Sequence, residues 1–290
     1  MTIRRIKMAK FLKSAFADEY NKEFDKQLEV LTTKGFTHIE PRGIDGTFLA
    51  KLEDDKVKEV KAKLKAAGIG ISAMGSFLGK YDIVEPLAPH LEVAKRIFDI
   101  SAELEAERVR IFSFYLPDGA NRQDYKEEAI ERVGKLIELA DTYGLTLCHE
   151  NEARIYGESP ECCYELLKTF GGKLKCVFDM GNFVLGGYKP YPEAYELLKP
   201  YIEYFHIKDA LSTGAIVPPA CGEANIPEIL LDYIKTADRD TIVTLEPHLQ
   251  TFEGLSQMKG MEFDNPYVYN TREEAFLDAT RRLFEITDRA

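Results

Sequence analysis

YGLTLCHE, residues 143–150, holds the pattern on which the fold turns. Gly144 ends a helical stretch, YKEEAIERVGKLIELADTYG (125–144), as glycine commonly does. An apolar run follows and closes on His149 and Glu150. Side chains alternate along a strand, so Thr146, Cys148 and Glu150 share one face while Leu145, Leu147 and His149 share the other. The apolar face suits packing against helices, and the opposite face ends in a carboxylate.

The same unit recurs as KGFTHIE (34–40), AAGIGIS (66–72), AERVRIF (106–112), GGKLKCVFD (171–179), YIEYFHIKD (201–209) and DTIVTLE (240–246). With IRRIKMAKFL near the start, these make eight candidate strands, spaced roughly every 28 to 40 residues, the size of a βα unit. The stretches between them, such as EFDKQLEVLTTK, VKEVKAKLKAAG, LEVAKRIFDISAELEA and EEAFLDATRRLFEITD, carry apolar residues at helical spacing. No Pro/Ser-rich linker divides the 290 residues. The expectation is a single (β/α)8 TIM-barrel domain over residues 1–290. A doubly wound sheet would want a glycine-rich turn after the first strand, and after KFLKSAF no glycine appears until Gly35.

Composition narrows the partners. The net charge is −11, which repels phosphate backbones and anionic membranes. Nucleic acid and membrane are therefore not expected. The five cysteines, Cys148, Cys162, Cys163, Cys176 and Cys221, include no C-x-x-C pair and read as free thiols of a reducing cytosol. MTIRRIKMAKFLKSAF lacks the apolar core of a secretory signal, and no run approaches 18 apolar residues. A cytoplasmic protein is expected. The oligomeric state is not specified, and a homo-oligomer is compatible with the chain.

The active site of a TIM barrel lies at the C-terminal ends of its strands. Strand parity points Glu150, Asp179, His206 and Glu246 toward the barrel mouth from four consecutive strands. Three converging carboxylates repel one another unless some are protonated or a cation sits among them. Carboxylates with one imidazole suit Mn²⁺, Mg²⁺, Co²⁺ or Zn²⁺, so one divalent ion is the expected cofactor. A lone histidine on an apolar strand is more often a satisfied core residue, and His38, His90, His149 and His248 keep that reading.

At these residues the sequence resembles the xylose isomerase-like TIM barrel superfamily, in particular its sugar phosphate isomerase/epimerase group. The resemblance covers nearly the whole chain. Its pattern of Glu, Asp, His and Glu on strands 5 to 8 matches Glu150, Asp179, His206 and Glu246. GSFLGKYDI (75–83), RIFSFY (110–115), HIKDA (206–210), PPACGEANIPEIL (218–230) and LEPHL (245–249) also fit the group. The resemblance implies a metal-dependent isomerase or epimerase acting on a small sugar or keto-polyol through an enediolate. Glu150 and Glu246 would then serve as both metal ligands and the acid/base pair. A lyase of the inosose-dehydratase type on the same site is the alternative, and a non-catalytic sugar-binding subunit is the weaker one. Many relatives carry Asp-x-x-His after strand 6, where this chain has Asp179-Met-Gly-Asn182. That departure, with no Asp-x-His pair after strand 7, argues against a multi-zinc nuclease.

The candidate substrate contacts are Lys208, Asn182, Lys80, Glu40 and Arg42. Lys208 shares a strand face with His206, the alternative being a solvated lysine paired with Asp209. Asn182 can replace the family's histidine as a neutral hydrogen-bonding partner. Lys80 follows strand 3. Glu40 and Arg42, at the end of strand 2, either pair with each other or hold substrate. No phosphate cradle is evident, so the substrate need not be phosphorylated.

Overall fold

The computed structural model describes residues 9–249, 267 and 269–289. Strands and helices alternate through it. The barrel strands are β1 (Phe11–Ala15), β2 (His38–Ile39), β3 in two segments (Gly70–Ile71 and Met74–Leu78), β4 (Arg108–Ile111), β5 (Thr146–Glu150), β6 (Leu174–Asp179), β7 (Ile202–Ile207) and β8 (Thr241–Leu245). A hairpin of Gly43–Ile44 and Thr47–Phe48 follows β2, and Asp209–Ala210 pairs with Ile216–Val217 beyond β7. The helices are α1 (Phe24–Lys34), α2 (Asp54–Ala67), α3 (Leu87–Glu103), α4 (Lys126–Asp141), α5 (Pro160–Thr169), α6 (Met180–Leu185), α7 (Tyr195–Leu198), α8 (Ile226–Thr236) and α9 (Arg272–Thr287).

Seven strands form one continuous parallel sheet in the order β1-β8-β7-β6-β5-β4-β3. The short β2 spans the remaining gap. Its Thr37 and Glu40 amides donate to the Lys13 and Ala15 carbonyls, each at 3.1 Å, while its Thr37 and Ile39 carbonyls accept from Gly70 and Ser72 at 3.0 and 2.9 Å. The ring therefore closes, as in a TIM barrel, and the rival open sheet is excluded. The expected first strand begins in residues outside those described. The third strand runs past the expected end at Ser72, on to Leu78, after a break between its two segments.

The helices form where the sequence pattern places them. α1 and α2 end on Gly35 and Gly68, both left-handed, at φ 86° and 66°. Two apolar layers result. One lies between sheet and helices and contains Leu147, Phe178, Phe205 and Leu245. The other fills the barrel, where Ala73, Cys148, Val177, Tyr204 and Ile242 pack with Leu12. Four of the five cysteines are buried and all five are free thiols. Among the described residues no helix is long and apolar enough to cross a membrane.

Candidate metal centre

The interior layer sets the height of the site. Two residues beyond Cys148, Val177, Tyr204 and Ile242 come Glu150, Asp179, His206 and Thr244, and Glu246 lies two beyond Thr244. Alternation makes each of these point inward as well. The register is staggered around the ring: His206 lies level with Asp179 and with Thr244, while Glu150 lies level with Val177. Two contacts hold Asp179 at the strand end. Its backbone N–H donates to Asn151 Oδ1 at 3.0 Å, and Asn151 Nδ2 donates to its carbonyl at 2.9 Å. Its carboxylate also caps α6, accepting from the Asn182 N–H at 2.8 Å.

Glu150, Asp179, His206 and Glu246 are all buried, and each offers a ligand atom within 4.8 Å of the others. His206 Nδ1 lies 3.2 Å from Glu150 Oε1 and 3.1 Å from Glu246 Oε2. Neither approach has hydrogen-bond directionality, so Nδ1 and Glu246 Oε2 are buried without hydrogen-bond partners. Across the ring, His206 Nε2 is 3.1 Å from Glu40 Oε2. A carboxylate accepts, so this contact places the hydrogen on Nε2 and turns Nδ1 toward the carboxylates. Tyr204 fixes Glu40 in turn, donating to its Oε1 at 3.0 Å. Three carboxylates, an imidazole with its inner nitrogen turned toward them and an oriented second shell fit a divalent cation.

Cations already flank this centre. Arg110 donates to Glu150 Oε2 at 3.0 Å and lies 3.9 Å from Glu246 Oε1. Arg42 bonds Asp18 at 3.0 Å and lies 3.2 Å from Glu246 Oε1. Lys208 donates to Asp179 Oδ2 and Asn182 Oδ1, both at 3.1 Å, and is 3.5 Å from Glu246 Oε2. A second trio, Glu19, Glu246 and His248, also brings ligand-type atoms together. There the Arg42 guanidinium sits against both carboxylates, at 3.4 and 3.2 Å, and supplies the positive charge.

These charges set the protonation states. Burial pushes the Glu150 carboxyl up, but the His206 and Arg110 cations hold it at about 2. Burial likewise opposes ionisation of Glu246, yet Lys208, His248 and His206 keep it well below the usual range. Asp179 is raised to about 7 by burial, against the pull of Lys208 and with Glu150 and Glu246 adding to the rise. Burial would lower His206, but the Glu40 and Glu150 carboxylates raise it well above the ordinary imidazole value. Burial lifts Glu19 to about 8 despite Arg42.

A cavity of about 390 Å³ opens beside the centre, and its walls include Glu150, Glu246, Arg42, Lys80, Arg110 and His248. Of the five expected substrate contacts, Arg42 and Lys80 face this cavity; Lys80 also bonds Glu152 at 2.8 Å. Glu40 and Arg42 do not pair with each other. Glu40 is fully buried beneath His206, so the expected substrate contact is replaced by a contact to the imidazole. Asn182 is engaged by protein groups as well. Its Nδ2 donates to Glu150 Oε1 at 3.3 Å and to the Asn151 carbonyl at 2.9 Å, and its Oδ1 accepts from Lys208. Lys208 is buried beside the metal-type ligands and does not pair with Asp209. Asp209 accepts instead from the Cys221, Gly222 and Ala224 amides at 3.0–3.1 Å.

Sequence reasoning missed Arg110, although the parity rule reaches it: Val109 and Ile111 pack outward, so Arg110 must point in. It also set His248 aside as a core residue. The structure places His248 on the cavity wall, with Nε2 3.5 Å from both Glu19 and Glu246. His90 and His149 keep the core reading, bonded to the Gly79 N–H at 2.8 Å and to Ser113 Oγ at 3.0 Å.

A profile of the xylose isomerase-like TIM barrel family matches residues 28–266. Among solved structures, the chain superimposes on the IOLI protein with a bound zinc atom, at TM-score 0.73 and 18% identity over 98% of this chain and 99% of that one. It also superimposes on a xylose isomerase-like TIM barrel protein from Mycobacterium smegmatis in complex with magnesium, at TM-score 0.68 and 19% identity over 97% of each chain. A third likeness is to D-psicose 3-epimerase from Clostridium cellulolyticum H10, solved with D-tagatose, at TM-score 0.71 and 14% identity over 95% of this chain and 98% of that one. At these identities the likeness is one of fold. No curated protein matches the sequence at a significant level.

Proposed function

Because the chain belongs to the xylose isomerase-like TIM barrel family, we propose that it is a divalent-metal-dependent isomerase or epimerase of a sugar or keto-polyol. One observation carries the reading. Four buried ligand-type side chains converge within 4.8 Å, two of them (Glu150 and Glu246) lining a 390 Å³ cavity, with His206 Nδ1 and Glu246 Oε2 lacking hydrogen-bond partners. Glu150, Asp179, His206 and Glu246 would hold the ion, which supplies Lewis acidity toward a substrate carbonyl oxygen when bound.

The chain's own groups account for the proton movements. Glu150 and Glu246 approach the cavity from β5 and β8, and each has two oxygens with different duties. Glu150 Oε1 and Glu246 Oε2 face His206 Nδ1. Glu150 Oε2 faces Arg110, and Glu246 Oε1 faces Arg42. These guanidiniums aim the outer oxygens; Arg110 also helps keep Glu150 ionised, as Lys208 and His206 do for Glu246, so that each can take a proton from the carbon next to a carbonyl. Proton removal by one glutamate and return by the other to the opposite face of the same carbon inverts a stereocentre; return to the neighbouring carbon, with the hydroxyl proton passed to the former carbonyl oxygen, moves the carbonyl. Arg110, on the cavity wall, faces the negative charge that develops on the enediolate, and the buried Lys208 adds positive charge behind the ligand set. Asn182 contributes by holding Lys208 and Glu150 in place; its amide does not titrate, so it is neither acid nor base.

The test is solvent exchange. A panel of ketoses, aldoses and inososes is incubated with Mn²⁺-, Mg²⁺-, Co²⁺- or Zn²⁺-replete protein in D₂O and read by NMR. At least one compound is expected to gain deuterium at a single C–H, and Glu150→Gln or Glu246→Gln should slow that exchange by about 10²–10⁴-fold. Accumulation of a dehydrated product would select a lyase on the same site. No exchange with any compound and any ion rejects the proposal.

A further inference from the structure

The cavity has a polar inner end and an apolar mouth. Large apolar side chains are seldom left exposed in a patch without a partner. Here Phe48 is 55% exposed and Phe77 is 39% exposed, and the two rings meet edge to face with centroids 5.3 Å apart. Both line the same cavity as Glu150 and Glu246. Phe48 is held there by a built feature. The hairpin that carries it turns through Asp45 and Gly46, both at positive φ (49° and 74°), which suits a tight two-residue turn. The turn is pinned by the Phe24 N–H donating to Asp45 Oδ1 at 2.8 Å and by Lys56 at 2.7 Å from Asp45 Oδ2. Phe77 stands on β3 between the buried Ser76 and Leu78. On its inner side lie Lys80 Nζ and Arg110 Cζ, 5.9 and 6.0 Å from its ring centroid. The aromatic pair is thus continuous with the reacting end and separated from it by cations. At about 390 Å³ the cavity is of the scale that buries a ligand larger than a single small sugar.

We propose that the substrate carries a second ring, whose apolar face rests on Phe48 and Phe77 while the reacting sugar sits at Glu150 and Glu246. The inference rests on the sugar-converting reading above and specifies its substrate class. The chemistry required is a ring with an apolar face, which an aryl substituent or the C–H face of a second sugar can supply.

Isothermal titration of the Mn²⁺-loaded full chain with three probes tests this: D-fructose, its 4-O-glucosyl derivative maltulose, and 4-O-benzyl-D-fructose. At least one ring-bearing probe should bind about tenfold or more tightly than D-fructose. Phe48→Ala and Phe77→Ala should each shrink that preference severalfold, and the double variant should abolish it. Tighter binding of the benzyl ether identifies an aryl ring, and tighter binding of maltulose a second sugar. Unchanged thermal melting verifies that these variants of exposed positions are folded. Equal affinities for all three probes, no binding by any, or a preference that survives the double variant overturns the subsite. The sugar-converting reading fails on a different result, the absence of C–H exchange across the panel.

Discussion

Glu40 has no access to the cavity, yet it decides which nitrogen His206 presents. Its Oε2 takes the Nε2 hydrogen, and Tyr204 prevents it from rotating away. Glu40→Gln keeps the shape but offers a weaker acceptor, or a donor that reverses the tautomer. Outer-shell partners of this kind are worth about 10–100-fold in metal affinity. Mn²⁺ binding to Glu40→Gln, measured by titration calorimetry, should weaken by that order, and the metal-free protein should melt lower, because a neutral amide no longer pairs the buried His206 imidazolium. Unchanged affinity would show that the imidazole is oriented by packing alone, for instance by Phe16, whose ring stands edge-on to it at 5.2 Å. Residues of this class divide by how local their partners are. Glu150, Asp179, His206 and Glu246 were legible because alternation along one strand suffices to aim them. The same rule reaches Arg110, but an arginine in a strand beside Arg108 reads as solvent-facing until Glu150 is known to lie beside it. Glu40 reads from the sequence as a partner of Arg42 or a substrate contact, because its actual partner is 166 positions away and becomes a neighbour only when the ring closes. His248 escaped because the chain leaves its strand path there, at φ 46°, so parity no longer applies.

At the scale of elements, the junction of β6 with α6 decides whether the centre is assembled. Asp179 is at once the last residue of its strand and the cap of the helix, and Asn182 reaches from the first turn to Glu150 and Lys208. The turn must pass close to the end of β7. A Cβ added to Gly181 would lie 2.7 Å from Lys208 Cγ and 2.8 Å from the Lys208 carbonyl oxygen. The side chain can bend away, but the backbone oxygen cannot do so without moving β7. Gly181→Ala is therefore expected to cost about 1–3 kcal/mol of stability, the range of local overpacking. Because the displaced strand carries His206, Mn²⁺ affinity should fall as well. A variant that melts like the parent and binds Mn²⁺ equally well would show that this junction is softer than its spacing implies. The elements themselves were readable because helical and strand periodicities differ and glycines punctuate them. Register was not readable. Nothing local announces that β2 contributes only two paired residues, or that β3 breaks and resumes as far as Leu78. Those features follow from the stagger that closes eight strands into a ring.

At the scale of the molecule, the barrel concentrates carboxylates at one mouth and offsets them with cations drawn from distant strands. The consequence is a pH dependence that changes sign with metal. In the metal-free protein Asp179 holds its proton up to about pH 7 and Glu19 up to about pH 8, whereas both ionise near pH 4 in an unfolded chain. His206, raised well above its ordinary value, also keeps a proton that the unfolded chain gives up near pH 6.5. All three are groups whose folded value is raised. The stability they contribute is complete below the unfolded value and is lost as pH rises through the folded one. His90 and His149, lowered to about 4 by burial, act in the opposite direction, but their contribution is complete once pH exceeds about 6.5. Between pH 6.5 and 8 the raised groups alone govern, with each proton retained by the folded state tilting stability by up to about 1.4 kcal/mol per pH unit. The melting temperature of the metal-free protein should therefore fall by several degrees across this interval, at about 2 °C per kcal/mol for a chain of this size. A divalent ion must displace the Asp179 and His206 protons, so its affinity rises with pH, and so does the stability it adds. With excess Mn²⁺ the melting temperature should hold level or rise over the same interval. A parallel decline with and without Mn²⁺ would mean that the ion binds away from Asp179 and His206, and would remove the metal centre from the mouth of the barrel.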